Sequence, residues 1–288
     1  MRLVSHKKTF HLIVLVISGV TLGAAADNQV NAEIISTLDA AVPGASATVG
    51  VLFAVPERAH IYWRNPGDSG LATGIDWDLS EDFAVGELQW PAPTQFSVEG
   101  LEDERYFGYT EETLLFAEVT IPDDAKPGTE IVIRANAYWL VCLDDGVCIP
   151  EDVDLELSIA IGSESKSSSF RDTVEQYRSK VPGSLMDTDS PIVVGWSKTS
   201  ETSLTVGTKG AFRIAADSTR YETAFYPYTG GGWTMEFPES SALLSTVVFR
   251  PRARSAEPSG GVLVLSLEDD SESDAKQYAI EVEAPKTP

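Results

Sequence analysis

The chain contains two cysteines, Cys142 and Cys148, whose side chains are the best suited to chemistry. Two nearby sulfurs can form a disulfide, and a disulfide can be exchanged with the thiol of another protein. In a chain that leaves the cytosol, an even number of closely spaced cysteines favours one disulfide over two free thiols. The first question is therefore whether a Cys142–Cys148 bond serves redox exchange or only stability.

The residues between the cysteines predict a β-hairpin. A β-rich segment leads into Cys142, Asp145-Gly146 is a strong turn dipeptide, and Pro150 follows Cys148. A hairpin brings the sulfurs together if the two Cβ vectors converge. The bond would close a short loop, so its chain-entropy gain is modest, roughly 2–3 kcal/mol. An exposed hairpin would also admit the thiolate of a partner, although the spacing alone leaves a structural disulfide open.

Other kinds of chemistry have few residues available. Beyond the amino-terminal segment, His60 is the only histidine, and Met186 and Met235 are the only methionines. A histidine-rich zinc site or a methionine-rich copper site cannot be built from this set, so we expect no metal and no cofactor. A hydrolase is disfavoured because the sequence has no G-x-S-x-G elbow. The Gly230–Gly232 run lacks the lysine of a phosphate-binding loop, and we interpret it as a plain loop.

The amino terminus has the organisation of a secretory signal peptide. Basic residues precede an apolar run over residues 10–23, and small residues at 24–26 offer a cleavage site. The run is shorter than the roughly 20 residues of a membrane span. We therefore expect residues 1–26 to be removed and the protein to be periplasmic, without stable membrane insertion. An uncleaved membrane anchor is the alternative.

The charge of the chain narrows the classes of partner. The sequence has 44 acidic against 21 basic side chains, a formal net charge of −23. Nucleic acids and anionic membrane surfaces require positive charge on the protein, so neither is an expected partner. We interpret the acidity as a solubility feature.

The pattern of apolar residues predicts an all-β chain interrupted by one helix. Five β-rich segments precede residue 162, with turns between them, and this spacing is typical of a β-sandwich. They cover residues 47–55, 60–63, 114–121, 131–139 and 153–161.

A change of composition divides the chain into regions. A serine-rich segment begins at residue 163, and helical spacing of apolar residues follows over Phe170–Val181. We therefore predict a sandwich domain over residues 27–162, a linker with a short helix over 163–190, and a second β-sandwich-like domain over 191–288.

Several motifs, in the expected order, resemble one known family. They are YWRNPGDSGL at residues 62–71, QWPAP at 89–93, and WLVC and CIP around the two cysteines. Together they resemble the N-terminal periplasmic domain of the thiol–disulfide interchange reductase DsbD, and in particular the DsbD-like proteins related to ScsB. The second β-rich region resembles the companion domain of those proteins, through residues 225–227 and 260–265.

The resemblance implies a fold and a site. The fold would be an immunoglobulin-like sandwich, with the cysteines on neighbouring strands. Cys148 would be the attacking sulfur and Cys142 the sulfur that resolves the mixed disulfide. An aromatic cap loop would shield the pair, with Tyr106 in the capping position and Phe107 and Gly108 after it. An ordinary packing role for these aromatic residues is the alternative.

Three further residues are candidates through the same resemblance. Glu104 matches an acidic position beside the cap that could assist proton transfer, although the neighbouring Arg105 departs from the family pattern. His60 and Tyr62 fall on a strand that lies near the pair, where we interpret them as lining or packing residues.

The resemblance also implies partners. These are a membrane thiol-reductant transporter of the DsbD or CcdA class and exported client thiol proteins, such as factors of cytochrome complex assembly. The rival hypothesis is a non-catalytic exported binding or scaffold module that carries a structural disulfide.

Overall fold

The computed structural model describes residues 29–80, 82–98, 100, 104–184, 191–198, 202–208, 213–214, 223–229, 233–236, 246–251, 260–268 and 276–284. The predicted signal peptide and the Gly230–Gly232 run lie outside these residues. None of the helices found among them has the length and apolar character needed to cross a membrane. The chain is mostly β, as the sequence predicted.

The first region of the chain forms strands numbered in chain order. They are β1 (Asn31–Ser36), β2 (Leu38–Ala41), β3 (Ser46–Ala54), β4 (Ala59–Gly67), β5 (Gly74–Asp78), β6 (Ala84–Val85), β7 (Thr94–Phe96), β8 (Tyr106–Tyr109), β9 (Glu112–Thr120), β10 (Glu130–Leu143), β11 (Cys148–Ile161) and β12 (Lys166–Ser167).

These strands build two sheets. One sheet has the order β1-β3-β9-β6, and the other has the order β12-β2-β11-β10-β4-β8-β7, with β5 also pairing with β10. The longest element is the antiparallel hairpin of β10 and β11, which runs in unbroken register from Glu130↔Ala160 to Cys142↔Cys148. The hairpin therefore sets the cysteines directly opposite each other at its tip.

A hydrophobic core lies between the two sheets. Phe53 and Leu115 enter it from one sheet, while Trp63 and Ile133 enter it from the other. In β10 the buried side chains alternate with more exposed ones up to Val141, as expected for a strand with one covered face. The alternation stops at Cys142, which is also buried, so another group of side chains must cover the outer face of the sheet there.

The single helix among the described residues, α1 (Arg171–Arg178), is shorter than the Phe170–Val181 segment that the sequence predicted. Its buried residues Val174 and Tyr177 form a separate cluster with Ile35, Leu114 and Phe116. The Tyr177 hydroxyl donates to the Glu112 carboxylate at 2.9 Å. The helix therefore packs against β1 and β9, away from the cysteines.

The second region continues the strand series. Its strands are β13 (Gly183–Ser184), β14 (Ile192–Lys198), β15 (Thr202–Thr208), β16 (Arg213–Ile214), β17 (Ala224–Pro227), β18 (Trp233–Glu236), β19 (Thr246–Pro251), β20 (Gly261–Glu268) and β21 (Lys276–Val282). They form one sheet of order β13-β21-β20-β16, with β17 against β20, and another of order β14-β15-β19-β18.

Strand β20 joins the two regions because both of its faces are buried. Leu263 and Leu265 belong to the core of the second region. Val262 and Val264 point the other way and, with Tyr226 of β17, belong to the core of the first region. The second region therefore contributes side chains to the core of the first.

Gly67 and Gly146 have similar backbone angles but different surroundings, so substitutions at the two positions measure how closely residues 104–109 pack against the end of β4. Gly67 has φ +95°, and a Cβ there would lie 2.1 Å from the Arg105 carbonyl oxygen, whereas Gly146 has φ +85° with open space around it. We expect Gly146→Ala to cost about 1 kcal/mol through backbone strain alone. Gly67→Ala should cost about 2 kcal/mol more, because it adds a backbone clash.

Urea unfolding of the oxidised protein measures both free energies. Equal losses for the two variants would contradict the close approach of β8 to Gly67.

Candidate functional site

The two cysteines form a disulfide at the tip of the β10–β11 hairpin. Their Cα atoms are 4.0 Å apart, and Cys142 also pairs with His60 on β4. Residues that pair across neighbouring strands direct their side chains to the same face of the sheet. The register therefore brings the imidazole of His60 to the face that holds the sulfurs.

The turn that joins the cysteines is held by its own backbone and by the loop before β4. Gly146 donates its N–H to the Leu143 carbonyl at 2.9 Å. Asp144 donates its N–H to the Arg58 carbonyl at 3.0 Å, and its carboxylate accepts a 3.2 Å hydrogen bond from the Arg58 guanidinium. Because the Asp144 carboxylate is paired with a cation, it is only partly available to repel a thiolate.

The two sulfur-bearing residues differ in exposure. Cys142 is 1% exposed, whereas Cys148 is exposed. Cys142 is covered by a group of side chains that we call the redox cluster. Its members are Tyr62, Tyr106 and Cys142, with Phe96, Val98 and Leu140 packed against them. One cysteine is therefore exposed at the hairpin tip, while the other lies beneath a group of aromatic rings.

A hydrogen-bonded chain of buried side chains ends on the covered sulfur. The Tyr62 hydroxyl lies 3.3 Å from Cys142 Sγ, and His60 Nε2 lies 3.2 Å from the same hydroxyl. His60 and Tyr62 are each 3% exposed. The sequence placed no histidine close to the cysteines along the chain, and the fold supplies one through Tyr62.

Burial keeps both groups uncharged near neutral pH. Desolvation lowers the pKa of His60 to about 4, against a smaller opposing effect of Asp144. Desolvation raises the pKa of Tyr62 to about 12, helped by the nearby Tyr106 and Glu104. A neutral imidazole can donate from Nε2 to the tyrosine oxygen, which leaves the hydroxyl proton free to point at sulfur.

The cap segment, residues 104–109, runs beside β4. Tyr106 is 2% exposed, and its hydroxyl donates to the Glu104 carboxylate. Burial and that hydrogen bond raise the pKa of the Tyr106 hydroxyl. Gly108 pairs with Tyr62, and a Cβ at Gly108 would lie 2.0 Å from the Ile61 carbonyl oxygen. Glu104 thus anchors Tyr106, and Gly108 lets the segment lie against β4.

Phe107 lies on the opposite face of the cap segment from Tyr106. It is fully buried in the core, and its ring meets that of Tyr226 edge-on, with centroids 5.2 Å apart. Adjacent residues of a strand point to opposite faces, so Tyr106 and Phe107 cannot both cover the sulfurs. The geometry gives the covering position to Tyr106 and a packing position to Phe107.

Phe96 belongs to the redox cluster but is not among the residues singled out from the sequence. Its ring stacks on Tyr106 with centroids 5.9 Å apart and lies 4.2 Å from the ring of His60. It sits on β7, a strand of three residues, where no periodic pattern can be recognised. The only sequence signal is an isolated aromatic residue soon after Pro91 and Pro93.

The rest of the described residues offer no metal site but contain a cavity. No group of three or more histidine, cysteine, aspartate or glutamate side chains is placed there to hold a metal ion. A cavity of about 430 Å³ lies where the first region, α1 and the second region meet, lined by Tyr109, Tyr177 and Gln277 among others. It includes no residue of the redox cluster.

Comparison with known proteins agrees with the geometry. The family model described as "Thiol:disulfide interchange protein DsbD, N-terminal" matches residues 29–160. The solved N-terminal periplasmic domain of ScsB from Proteus mirabilis superposes with a TM-score of 0.57 at 19% identity, over 88% of this chain and 94% of that one. The YadV chaperone aligns over 87% of this chain and 100% of its own at 8% identity, with a TM-score of only 0.22. No curated protein matches the sequence significantly.

The match of residues 29–160 includes both strands of the disulfide, the cap segment and the strand that carries His60 and Tyr62. The ScsB structure shares the fold over most of this chain. The first region of this chain, residues 29–160, is a DsbD N-terminal-like domain with an immunoglobulin-like β-sandwich fold.

Proposed function

We propose that the protein is a periplasmic thiol–disulfide interchange protein that passes electrons to exported clients through Cys142 and Cys148. The observation that carries this proposal is the asymmetry of the disulfide. An exposed sulfur can be attacked by a partner or can attack one, and a buried sulfur beside it can resolve the mixed disulfide. A bond that served stability alone would not need one sulfur in a hydrogen-bonded aromatic site.

The reaction with a client would take two exchange steps. In the reduced protein the Cys148 thiolate attacks a client disulfide, so that a mixed disulfide forms and one client sulfur leaves as a thiolate. The Cys142 thiolate then attacks Cys148 Sγ, which releases the second client sulfur and restores the Cys142–Cys148 bond. Two electrons pass to the client, and its two thiolates take up protons from water to give a dithiol.

The Cys142–Cys148 bond must be reduced again by a dithiol outside this pair, because the printed sequence contains no other cysteine. We propose a membrane thiol-reductant transporter of the DsbD or CcdA class, whose dithiol would reduce the Cys142–Cys148 bond by the same two steps in reverse. Exposed Val147 and Ile149 flank Cys148. They offer an apolar surface on which either partner could dock.

Tyr62 and His60 would act on the resolving step. When Cys142 becomes a thiolate, the Tyr62 hydroxyl 3.3 Å away can donate to it, with His60 donating in turn to the tyrosine oxygen. A hydrogen bond to the charged form lowers the pKa of a thiol, whereas burial raises it. The pair of residues would therefore offset part of the burial of Cys142.

The reduction potential of the Cys142–Cys148 pair separates the proposal from its main rival. Equilibration of the protein in glutathione or dithiothreitol buffers should give a value of roughly −180 to −270 mV, as for known exchange proteins. A value below about −300 mV, with marked loss of stability on reduction, would identify a structural disulfide in a binding or scaffold module.

Single-cysteine variants test the order of attack. With oxidised glutathione as a model disulfide, reduced Cys142→Ser should form a mixed disulfide at Cys148 readily. Cys148→Ser should react at Cys142 at least about tenfold more slowly, because the cap segment must first move away from the sulfur. A free energy of about 1.4 kcal/mol for that movement gives the tenfold factor. Mass spectrometry follows both reactions. Equal rates would show that the order of attack is wrong.

Removal of the Tyr62 hydroxyl should slow resolution. With Tyr62→Phe we expect the mixed disulfide to persist about tenfold longer or more, because a hydrogen bond to a charged group contributes about 1.5 kcal/mol. The matched control is Tyr109→Phe on β8, which loses a buried hydrogen bond to the Pro91 carbonyl away from the sulfurs. The role assigned to Tyr62 fails if quenched-flow traces of the two variants coincide.

His60 predicts a pH dependence of stability. Its pKa in the folded protein, about 4, lies below the 6.5 of an unfolded chain, so the unfolded state binds the extra proton first as pH falls. Between pH 7.5 and 5 this should remove about 2 kcal/mol of unfolding free energy, and His60→Gln should lack that component. Urea unfolding at both pH values gives the comparison, and an identical decrease in the two proteins would contradict the buried neutral imidazole.

A further inference from the structure

Strands β4 and β8 carry the redox site on one face and the contact with the second region on the other. Tyr62 and Tyr106 belong to the redox cluster. The next residue on each strand points the opposite way, so that Trp63 meets Tyr228 with ring centroids 6.0 Å apart and Phe107 meets Tyr226. A shift of either strand would therefore disturb both faces at once.

Asn65 ties β4 to the second region by a buried hydrogen bond. Asn65 is only 6% exposed, and its Nδ2 donates to the Pro227 carbonyl at 2.7 Å. The Oδ1 atom of the same side chain accepts the Gly67 N–H at 3.2 Å. One amide thus bridges the second region and the end of β4.

The end of β4 in turn holds the cap segment. Gly67 pairs with Tyr106. Asp68 donates its N–H to the Arg105 carbonyl at 2.9 Å, and the Asp68 carboxylate accepts the Arg105 N–H at 2.8 Å. The contacts therefore run without interruption from Pro227 through Asn65 to Tyr106, whose ring covers Cys142.

A second set of contacts closes the outer side of the same junction. The Arg64 guanidinium lies 3.8 Å above the ring of Tyr228 and 3.7 Å from the Glu281 carboxylate. The Tyr228 hydroxyl donates to Glu281 at 2.8 Å. Such partly exposed cation–π and ionic contacts are weak individually, so this side of the junction adds little to the stability of the protein.

We infer that the second region controls access to Cys142 by holding the cap segment closed over it. Displacement of β17, for example when a partner protein docks on the second region, would free Asn65 and Phe107 and let Tyr106 leave the buried sulfur. This inference rests on the proposed function for its biological meaning. Its physical content, the exposure of Cys142, can be measured without any client.

The test uses the full-length mature protein with Cys148→Ser, in which Cys142 is the only thiol. Iodoacetamide should alkylate Cys142 slowly, because the sulfur is reachable only when the cap segment moves. Asn65→Asp keeps the acceptor for Gly67 but replaces the donor to Pro227 with a carboxylate. It should speed alkylation by about tenfold or more. Tyr228→Ala, which places no charge in the interior, should act in the same direction.

Thr48→Val is the matched control, because it removes part-buried hydrogen bonds of the Thr48 hydroxyl with Glu118 and Arg178 on the side of the opposite sheet. It should leave the alkylation rate unchanged even where urea unfolding shows a similar loss of stability. The inference is overturned if both junction variants alkylate at the parent rate, or if Thr48→Val accelerates alkylation as much as they do.

Reduction of a client disulfide by the two-cysteine protein is measured in a separate assay. Rapid alkylation in the junction variants, combined with a failure of the two-cysteine protein to reduce clients, would refute the proposed function and leave the coupling intact.

Discussion

The structure of the site depends on the strict alternation of side chains along the paired strands β4 and β8. Tyr62 and Tyr106 face the sulfur of Cys142 only because Trp63 and Phe107 face the interior. Burial of two large aromatic side chains contributes several kcal/mol, on the order of 2–3 kcal/mol each. A slip of one residue would bring Trp63 and Phe107 to the sulfurs and turn Tyr62 and Tyr106 toward the interior. The packing of the core therefore fixes which rings cover the redox pair.

The order of strands in the sheet explains why the two cysteines differ in exposure although they occupy equivalent positions in the hairpin. Cys142 lies on β10, which has β4 on its other side, so the side chains of β4 reach it. Cys148 lies on β11, at the end away from β2. Strand β2, the other neighbour of β11, pairs with it only at Ala160↔Ala40 and Ile161↔Ala41. No strand among the described residues flanks Cys148 on that side. The position of each strand in the sheet thus sets the exposure of its cysteine.

Much of this arrangement could be predicted from the sequence, and the limits have physical causes. The β10–β11 hairpin follows from local alternation and from Asp145-Gly146, which are short-range signals. The cluster around Cys142 depends on contacts between residues far apart in sequence, such as the 3.3 Å approach of Tyr62 to the sulfur. No pattern within a single strand encodes such a contact. The position of Phe96 could not be predicted either, because its strand is too short to show an alternation of buried and exposed residues.

The contribution of the second region was the hardest feature to predict. The sequence predicts a second β-sandwich-like domain, but no pattern in it shows that Val262 and Val264 belong to the core of the first region. A strand buried on both faces reads as a continuous apolar run, and the run GVLVLSL at 261–267 has that character. Such a run indicates that both faces of the strand are buried, but it does not identify the elements that cover them. Only the fold shows that one of those faces lies behind the strands that carry Tyr62 and Tyr106, which places the second region where it can act on the redox site.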